Sequence, residues 1–174
     1  MPQRLRGTLI SNNPTLWETV SNPIYCLALG FGSGLVKIAP GTSGSLLALI
    51  FYLPLSLLPL WMYIIHLAVS FLVGIYVCGE TAQRMKVKDP SAIVWDEVVG
   101  MWIALLLVPS KWYFIVLAFL IFRLFDILKP WPISVLDRKV KGGVGIMLDD
   151  VAAGLLTLIT LQLLSNGLTN FVPK

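Results

Sequence analysis

The longest apolar stretch of this sequence covers residues 44–78 and contains no Asp, Glu, Lys or Arg. A helix needs about 20 predominantly apolar residues to cross a bilayer, so this stretch is long enough for two crossings. Pro59 lies near its middle and lacks a backbone N–H donor, which favours a turn there. Trp61 and Tyr63 are typical of a membrane interface. The sequence therefore predicts two membrane-spanning helices joined near Pro59.

The composition also indicates an integral membrane protein. Hydrophobic residues make up 57% of the chain and charged residues only 13%, well below the charged fraction of a soluble domain. We expect an all-α fold, a polytopic membrane helical bundle with about four to five apolar helices. Residues 24–174 are expected to form a single membrane-embedded domain, preceded by an N-terminal cytoplasmic extension of residues 1–23.

Residues 98–122 form another apolar segment, for which two interpretations are open. Pro109 and Lys111 interrupt it and leave two arms of about 11 residues, each roughly 16 Å long as a helix, whereas a bilayer core is about 30 Å thick. The segment is therefore one kinked span or a short re-entrant hairpin with Lys111 at its tip. We prefer the hairpin, because it places every Lys and Arg except Lys111 and Lys174 on one side. The positive-inside rule makes that side cytoplasmic.

The net charge of +4 does not indicate nucleic-acid binding. The basic residues are scattered over membrane-flanking loops, and no DNA- or RNA-binding motif is present. Membrane lipid is the expected partner. Cys26 and Cys78 lie far apart in apolar surroundings, which favours reduced packing cysteines over a disulfide or a metal pair.

The acidic residues are few and clustered. Six of the nine fall into three short clusters, namely Asp96 with Glu97, Asp126 with Asp137, and Asp149 with Asp150. Carboxylates at the ends of apolar helices are costly unless they are paired, hydrated or metal-bound. Two of the clusters precede apolar runs, so we expect two helix starts that converge on one cation. Stabilisation of the helix dipoles is the alternative.

Oxygen ligands of this kind favour Mg²⁺ or Ca²⁺. Zinc is disfavoured, because the single histidine, His66, lies in the middle of a predicted span. The sequence thus predicts a Mg²⁺ site with five candidate ligands: Asp96, Glu97, Asp126, Asp149 and Asp150.

Basic residues near these acids are candidates for binding a phosphate group. Arg123, Asp126 and Lys129 follow at three-residue spacing and share a helix face, with an internal ion-pair ladder as the alternative. Lys129 stands before the helix-ending Pro130, so we expect it to project towards a phosphate. Arg138 belongs to a basic loop that is predicted to continue through glycines 142 and 143.

A glycine-rich segment at residues 29–45 offers backbone N–H groups and hydroxyls ahead of a helix, which suits phosphate oxygens. It lacks the Gly-Lys-Ser/Thr ending of a nucleotide-binding loop and follows no predicted strand. A flexible interfacial turn is the alternative. The candidates for phosphate contacts in this segment are Lys37, Thr42, Ser43 and Ser45.

The remaining motifs narrow the chemistry. Both cysteines are assigned to packing, the histidine lies in a span, and no Asp-x-Asp motif is present. Attack on phosphorus by a metal-activated water therefore fits best, and a carboxylate nucleophile stays open. A CDP-alcohol phosphotransferase is the runner-up, although its Asp-Gly-x2-Ala-Arg pattern is absent. A cation transporter is the third hypothesis, but it leaves Lys37, Lys129 and Arg138 unexplained.

Four segments occur in the order of one known family: GSGLVKIAPGTSGS at 32–45, IVWDEVVG at 93–100, FRLFDILKPWP at 122–132 and GGVGIMLDDVAAG at 142–154. Together they resemble the bacterial phosphatidylglycerophosphatase A family over residues 24–165. The resemblance implies an all-helical fold and Mg²⁺-dependent hydrolysis of phosphatidylglycerophosphate to phosphatidylglycerol and phosphate. It also implies a multi-pass protein of the bacterial inner membrane, with an active site that faces the cytoplasm.

The expected site combines these motifs within one catalytic domain at residues 24–174. The expected catalytic residues are Asp96, Glu97, Asp126, Asp149, Asp150 and Lys129. The residues expected to bind the substrate phosphate are Lys37, Thr42, Ser43, Ser45, Arg123 and Arg138.

Overall fold

Helices account for all of the regular secondary structure in the residues that the computed structural model describes, which are 14–88, 90–109 and 111–171. The all-α prediction is confirmed. Residues 1–13 of the predicted N-terminal extension lie outside the described part. In chain order the elements are α1 (Leu16–Ser21), α2 (Pro23–Ala28), a 3₁₀ helix (Gly30–Leu35), α3 (Pro40–Leu55), α4 (Leu60–Met85), α5 (Trp95–Ala104), α6 (Trp112–Leu128), α7 (Ile133–Lys139) and α8 (Gly142–Phe171).

Two helices in the described part, α4 and α8, are long and apolar enough to cross a membrane. The shorter α3 is also apolar and has 16 residues. The break between α3 and α4 falls where Pro59 predicted it, and this proline is the N-cap of α4. Apolar side chains on α4, including Ile65, Val69 and Leu72, are exposed. Such a surface is typical of a helix that faces lipid.

The apolar segment at 98–122 contains the end of α5 and most of α6, and these two helices run antiparallel. α5 ends at Ala104 and α6 begins at Trp112. Arg123 Nη1, near the end of α6, lies 4.0 Å from Glu97 Oε1 at the start of α5, so the chain reverses direction between the two helices. With 10 residues, α5 is about 15 Å long and too short to cross a bilayer core. The acidic start of α5 and the charged end of α6 therefore lie side by side.

The last helix begins much earlier than the sequence predicted. α8 starts at Gly142 rather than at the Asp149–Asp150 pair, so Asp149 and Asp150 lie inside the helix and not at its start. Gly143 belongs to this helix and not to the predicted loop. It packs so closely on α4 that a Cβ there would overlap the carbonyl oxygen of Ile75. Glycine at such a contact permits close helix packing. The sequence alone does not distinguish a glycine in this role from a glycine in a turn.

The centre of the molecule is α8, which packs against α4, α5, α6 and α7. Its contact with α5 brings the two backbones together. A Cβ on Gly100 would lie 2.7 Å from the carbonyl oxygen of Asp150, and a Cβ on Gly154 would overlap the carbonyl oxygen of Gly100. The space beside Gly100 is thus filled by another helix. This contact sets the start of α5 directly beside Asp150.

Candidate active site

A polar cavity of about 200 Å³ lies where the charged ends of α5 and α6 meet α8 and the start of α3. Its lining includes seven of the residues that the sequence singled out: Asp96, Glu97, Arg123, Asp126, Lys129, Asp149 and Asp150. Residues 39–41 line another side of it. The three motifs that carry acidic residues therefore share one cavity.

Three carboxylates in this cavity lie close enough to share one metal ion. Asp96 and Glu97 come from the first turn of α5, and Asp150 comes from the third turn of α8. One ligand oxygen from each lies within 4.8 Å of the other two. Within the described residues this is the group of metal-ligating side chains that meets such a distance limit. The expected convergence of two helices on one point is therefore present, with three carboxylates at its centre.

Glu97 lies beside other carboxylates and Arg123, with little access to solvent. Its Oε2 is buried without a hydrogen-bond partner among the described residues, as is Oδ1 of Asp150. Burial and, next, the charge of Asp150 raise the pKa of Glu97 to about 8. Buried anions in this arrangement are costly unless a cation compensates them. The electrostatics of the cluster thus favour a bound positive charge.

Asp126 is engaged by a neighbouring arginine. Arg123 Nη1 donates to Asp126 Oδ2 at 2.5 Å, and both side chains are 14% exposed. The ion-pair ladder considered for this helix face therefore exists for its first two members. Nε of Arg123 is buried and makes no hydrogen bond within the described residues. Arg123 consequently retains an N–H donor in a cavity lined by acids.

Lys129 lies in the cavity but is not free to project as the sequence suggested. Its ammonium donates to Asp137 Oδ1 at 2.8 Å and to Asp149 Oδ2 at 2.5 Å. Burial alone lowers the pKa of Lys129, but these two hydrogen bonds outweigh it and raise the pKa above its usual range. The same contact lowers the pKa of Asp137. Lys129 thus links α6, α7 and α8 through its ammonium group.

Lys129 reaches these partners because of its backbone conformation. It is the C-cap of α6 and has a left-handed φ of 42°, so the helix ends there, directly before Pro130, as predicted. Asp137 on α7 was recognised only as a member of an acidic cluster and not as a site residue. Its i+8 spacing from Lys129 crosses a helix boundary, and no helix periodicity relates the two positions.

Gly41 is a site residue that the sequence analysis missed. It lies in the first turn of α3, and a Cβ there would overlap Glu97 Oε1 and lie 2.9 Å from Arg123 Nη1. Only a glycine lets this helix approach the two side chains so closely. The available signal was a glycine directly after Pro40, where a helix would otherwise accept most residues.

Other predicted phosphate ligands lie away from the cavity lining. Lys37 and Arg138 are exposed, and Arg138 Nε donates to the carbonyl oxygen of Ser134 on its own helix. Ser45 is buried and donates to the carbonyl oxygen of Gly41. Thr42 and Ser43 are half-buried inside α3 rather than in a loop before it. Phosphate contacts by Lys37, Thr42, Ser43, Ser45 and Arg138 stay predictions.

Cys78 and Arg84 have the Cys-x5-Arg spacing of cysteine-dependent phosphatases. Both lie on the continuous helix α4, whereas a phosphate-binding loop needs successive N–H groups turned towards one point. Cys78 is buried with its Sγ 3.9 Å from the Sδ of Met147. Arg84 pairs with Glu80 at 2.8 Å. The geometry assigns both residues to packing and surface pairing.

Comparison with known proteins gives consistent matches. The family model described as Phosphatidylglycerophosphatase A matches residues 26–165. The phosphatidylglycerophosphatase A of Escherichia coli K12 is 47% identical over 139 residues, which are 79% of this chain and 81% of the relative. That of Haemophilus influenzae is 48% identical over 153 residues, or 87% of this chain and 94% of the relative.

A third relative carries a different name. A Bacteroides thetaiotaomicron protein provisionally named phosphatidylinositol-3-phosphatase is 42% identical over 141 residues, or 76% of this chain and 87% of the relative. No solved structure matches the chain. The family model covers most of the sequence, and two relatives that match over most of their own length bear the same name. This chain therefore belongs to the phosphatidylglycerophosphatase A family.

Proposed function

We propose that this protein is a lipid phosphatase that hydrolyses the terminal phosphate ester of phosphatidylglycerophosphate. Water supplies the oxygen that remains on the released phosphate, and the headgroup hydroxyl of phosphatidylglycerol takes up the proton. Family membership over residues 26–165 carries the assignment, because that range contains every residue that lines the acidic cavity. The cavity suits the reaction, since acids that can hold a cation lie beside basic groups that can hold a phosphate.

Mg²⁺ is the cation that we assign to Asp96, Glu97 and Asp150. Oε2 of Glu97 and Oδ1 of Asp150, which have no hydrogen-bond partner within the described part of the chain, support this assignment, as do the oxygen-only ligands of the cluster. When bound, the ion would neutralise charge on the phosphoryl group and activate a water molecule. The chain's own contribution is to hold three carboxylates in place through the α5–α8 packing before any ligand arrives.

Arg123 is our first candidate for holding the substrate phosphate. Its hydrogen bond to Asp126 fixes the guanidinium, and its Nε donor has no partner among the described residues. Charge-assisted hydrogen bonds from arginine to phosphate are strong and directional. In this arrangement Asp126 acts by orienting Arg123, in addition to its predicted place beside the metal.

Lys129 is our second candidate. An ammonium group has three N–H donors, and Asp137 and Asp149 account for two of them. The third can reach a phosphate oxygen in the shared cavity. Because positioning and charge neutralisation dominate phosphoryl transfer, a fixed cation in this place lowers the barrier without taking part in proton transfer.

We place the cavity on the cytoplasmic side of a bacterial inner membrane, with the α5–α6 hairpin extending to the opposite interface. Tyr63 Oη, near the start of α4, donates to the carbonyl oxygen of Trp102 near the end of α5, so the starts of α4 and α6 lie at the same end of the bundle. Both starts carry exposed tryptophans, Trp61 and Trp112. Aromatic residues at this level are typical of the interface opposite the cavity.

The decisive assay measures phosphate release from phosphatidylglycerophosphate in detergent micelles, with Mg²⁺ and with a chelator. We expect release only with Mg²⁺, and its loss in Glu97→Gln. The matched control is Glu80→Gln, which removes an acid that pairs with Arg84 outside the cavity. Absence of phosphate release from the wild type under all conditions would refute the function.

Three further experiments address the alternative functions. Phosphatidylinositol 3-phosphate tests the substrate suggested by the name of the Bacteroides relative. CDP-diacylglycerol with glycerol 3-phosphate tests a phosphotransferase, and cation flux into vesicles tests a transporter. We expect the first to be a poorer substrate and the other two to give no signal.

A further inference from the structure

An apolar groove lies beside the acidic cavity and shares a helix with it. Trp95 lines the groove, and the next residue, Asp96, lines the cavity. The groove has a volume of about 250 Å³ and lies between α3, α4 and α5. Its other walls include Phe31, Phe51 and Trp102. The first turn of α5 therefore has an acidic side and an aromatic side.

The walls of this groove present carbon surface, because their polar atoms are already bonded elsewhere. Trp95 Nε1 donates to the carbonyl oxygen of Ser70 at 3.1 Å, and Trp102 Nε1 donates to that of Ala48 at 3.0 Å. The two rings pack edge to face with centroids 5.9 Å apart. His66, also in the wall, has Nε2 3.5 Å from Ser70 Oγ. The groove is therefore fixed in shape and suited to an apolar ligand.

The glycine-rich segment contributes one wall. Phe31 has a left-handed φ of 56° between Gly30 and Gly32, a conformation that is unfavourable for a bulky residue. Its ring is half exposed and lies 5.7 Å from the ring of Phe51 on α3. Strained residues of this kind cluster at ligand sites. The segment thus presents an aromatic ring to the groove.

We propose that this groove binds an acyl chain of the glycerophospholipid substrate while the terminal phosphate lies in the acidic cavity. The proposal rests on the proposed function. A lipid phosphatase must hold a charged headgroup and an apolar tail at once, and the adjacency of Trp95 and Asp96 offers a surface for each within one helical turn. Occupation of the groove by bulk lipid is the alternative that the competition experiment below tests.

The test compares two substrates with the same headgroup, dihexanoyl and dioleoyl phosphatidylglycerophosphate, presented in the same detergent micelles. In Phe31→Ala and Phe51→Ala, the ratio of kcat/KM for the long-chain to the short-chain substrate should fall, by about fourfold for each methylene that loses its apolar contact. Leu72→Ala is the matched control, because Leu72 is an exposed apolar residue of α4 outside the groove. It should leave the ratio unchanged.

A second measurement identifies the occupant. Phosphatidylglycerophosphate with a diazirine in one acyl chain should label peptides of α3 or α5 on irradiation. Unlabelled dioleoyl phosphatidylglycerophosphate should compete, and dioleoyl phosphatidylcholine should not. Equal competition by both lipids, or an unchanged chain-length ratio in both Phe variants, would overturn the proposal while phosphate release from the dihexanoyl substrate kept the phosphatase assignment intact. If the wild type hydrolysed neither substrate, the phosphatase assignment would fail, and this proposal with it.

Discussion

Replacing Gly41 with alanine tests how tightly α3 is fitted to the acidic cluster. The new Cβ would overlap Glu97 Oε1 and lie 2.9 Å from Arg123 Nη1, whereas ordinary contacts begin at 3.4 Å. Both obstacles are side-chain ends, so the backbone need not move. To restore a normal contact, the carboxylate must retreat by roughly 1 Å, and a displacement of that size at a reacting centre can lower the rate by about 100-fold.

We therefore expect Gly41→Ala to lower kcat/KM by about 100-fold and to weaken Mg²⁺ activation, with little change in the thermal unfolding temperature. Phosphate release at a series of Mg²⁺ concentrations measures the effect. Leu46→Ala is the control, since Leu46 is an exposed residue of the same helix.

A double-mutant cycle shows whether the effect acts through Glu97. Glu97→Asp shortens the side chain and withdraws its carboxylate from the added methyl group. Combined with Gly41→Ala, it should cost much less than the sum of the two single changes, because contacting residues are not additive. Near wild-type turnover of Gly41→Ala, or full additivity in the cycle, would show that α3 does not confine Glu97 as described.

Three other predictions address the remaining parts of the site. Asp150→Asn should weaken Mg²⁺ binding, measured by titration calorimetry, by at least about 10-fold, because even residues that only hydrogen-bond to metal ligands contribute that much. An unchanged affinity would show that Asp150 is not a metal ligand. Lys129→Ala should lower kcat by about 100-fold, as the loss of one charge-stabilising donor does in other enzymes. Lys129→Arg should restore little activity because the geometry of arginine differs from that of lysine. Wild-type turnover and substrate affinity in Lys129→Ala would show that Lys129 is only an interfacial anchor. With the native cysteines replaced, Lys111→Cys should react with an impermeant maleimide from the periplasmic side and Lys139→Cys should not; labelling of Lys111→Cys only from the cytoplasm would contradict the hairpin.

The convergence of Asp96 and Glu97 with Asp150 was predictable from the sequence. Carboxylates are rare in this chain, and each pair stands next to an apolar run, so the cost of burying them in an apolar bundle indicated a shared site. The scarcity of acidic residues and their position next to apolar runs were sufficient for this prediction, because both can be read locally in the sequence.

The positions of the other charged groups depended on contacts that no local pattern encodes. Lys129 was expected to face a phosphate alone, but α7 brings Asp137 to it. The early start of α8 was hidden because Gly143 serves helix packing, and glycine also favours turns. Gly41 was not recognised either. Its role depends on its close contact with Glu97, which lies on a helix far away in the sequence.

The backbone contact between Gly100 and Gly154 also has a consequence for biogenesis. The carboxylates of α5 are synthesised well before Asp150, which arrives with the last helix of the described chain, and chains emerge from the ribosome N-terminus first. Until α8 inserts and docks on α5, Asp96 and Glu97 lack the partner that completes the cluster. Because the cluster is incomplete before that step, we expect phosphatase activity to appear only after α8 has docked on α5.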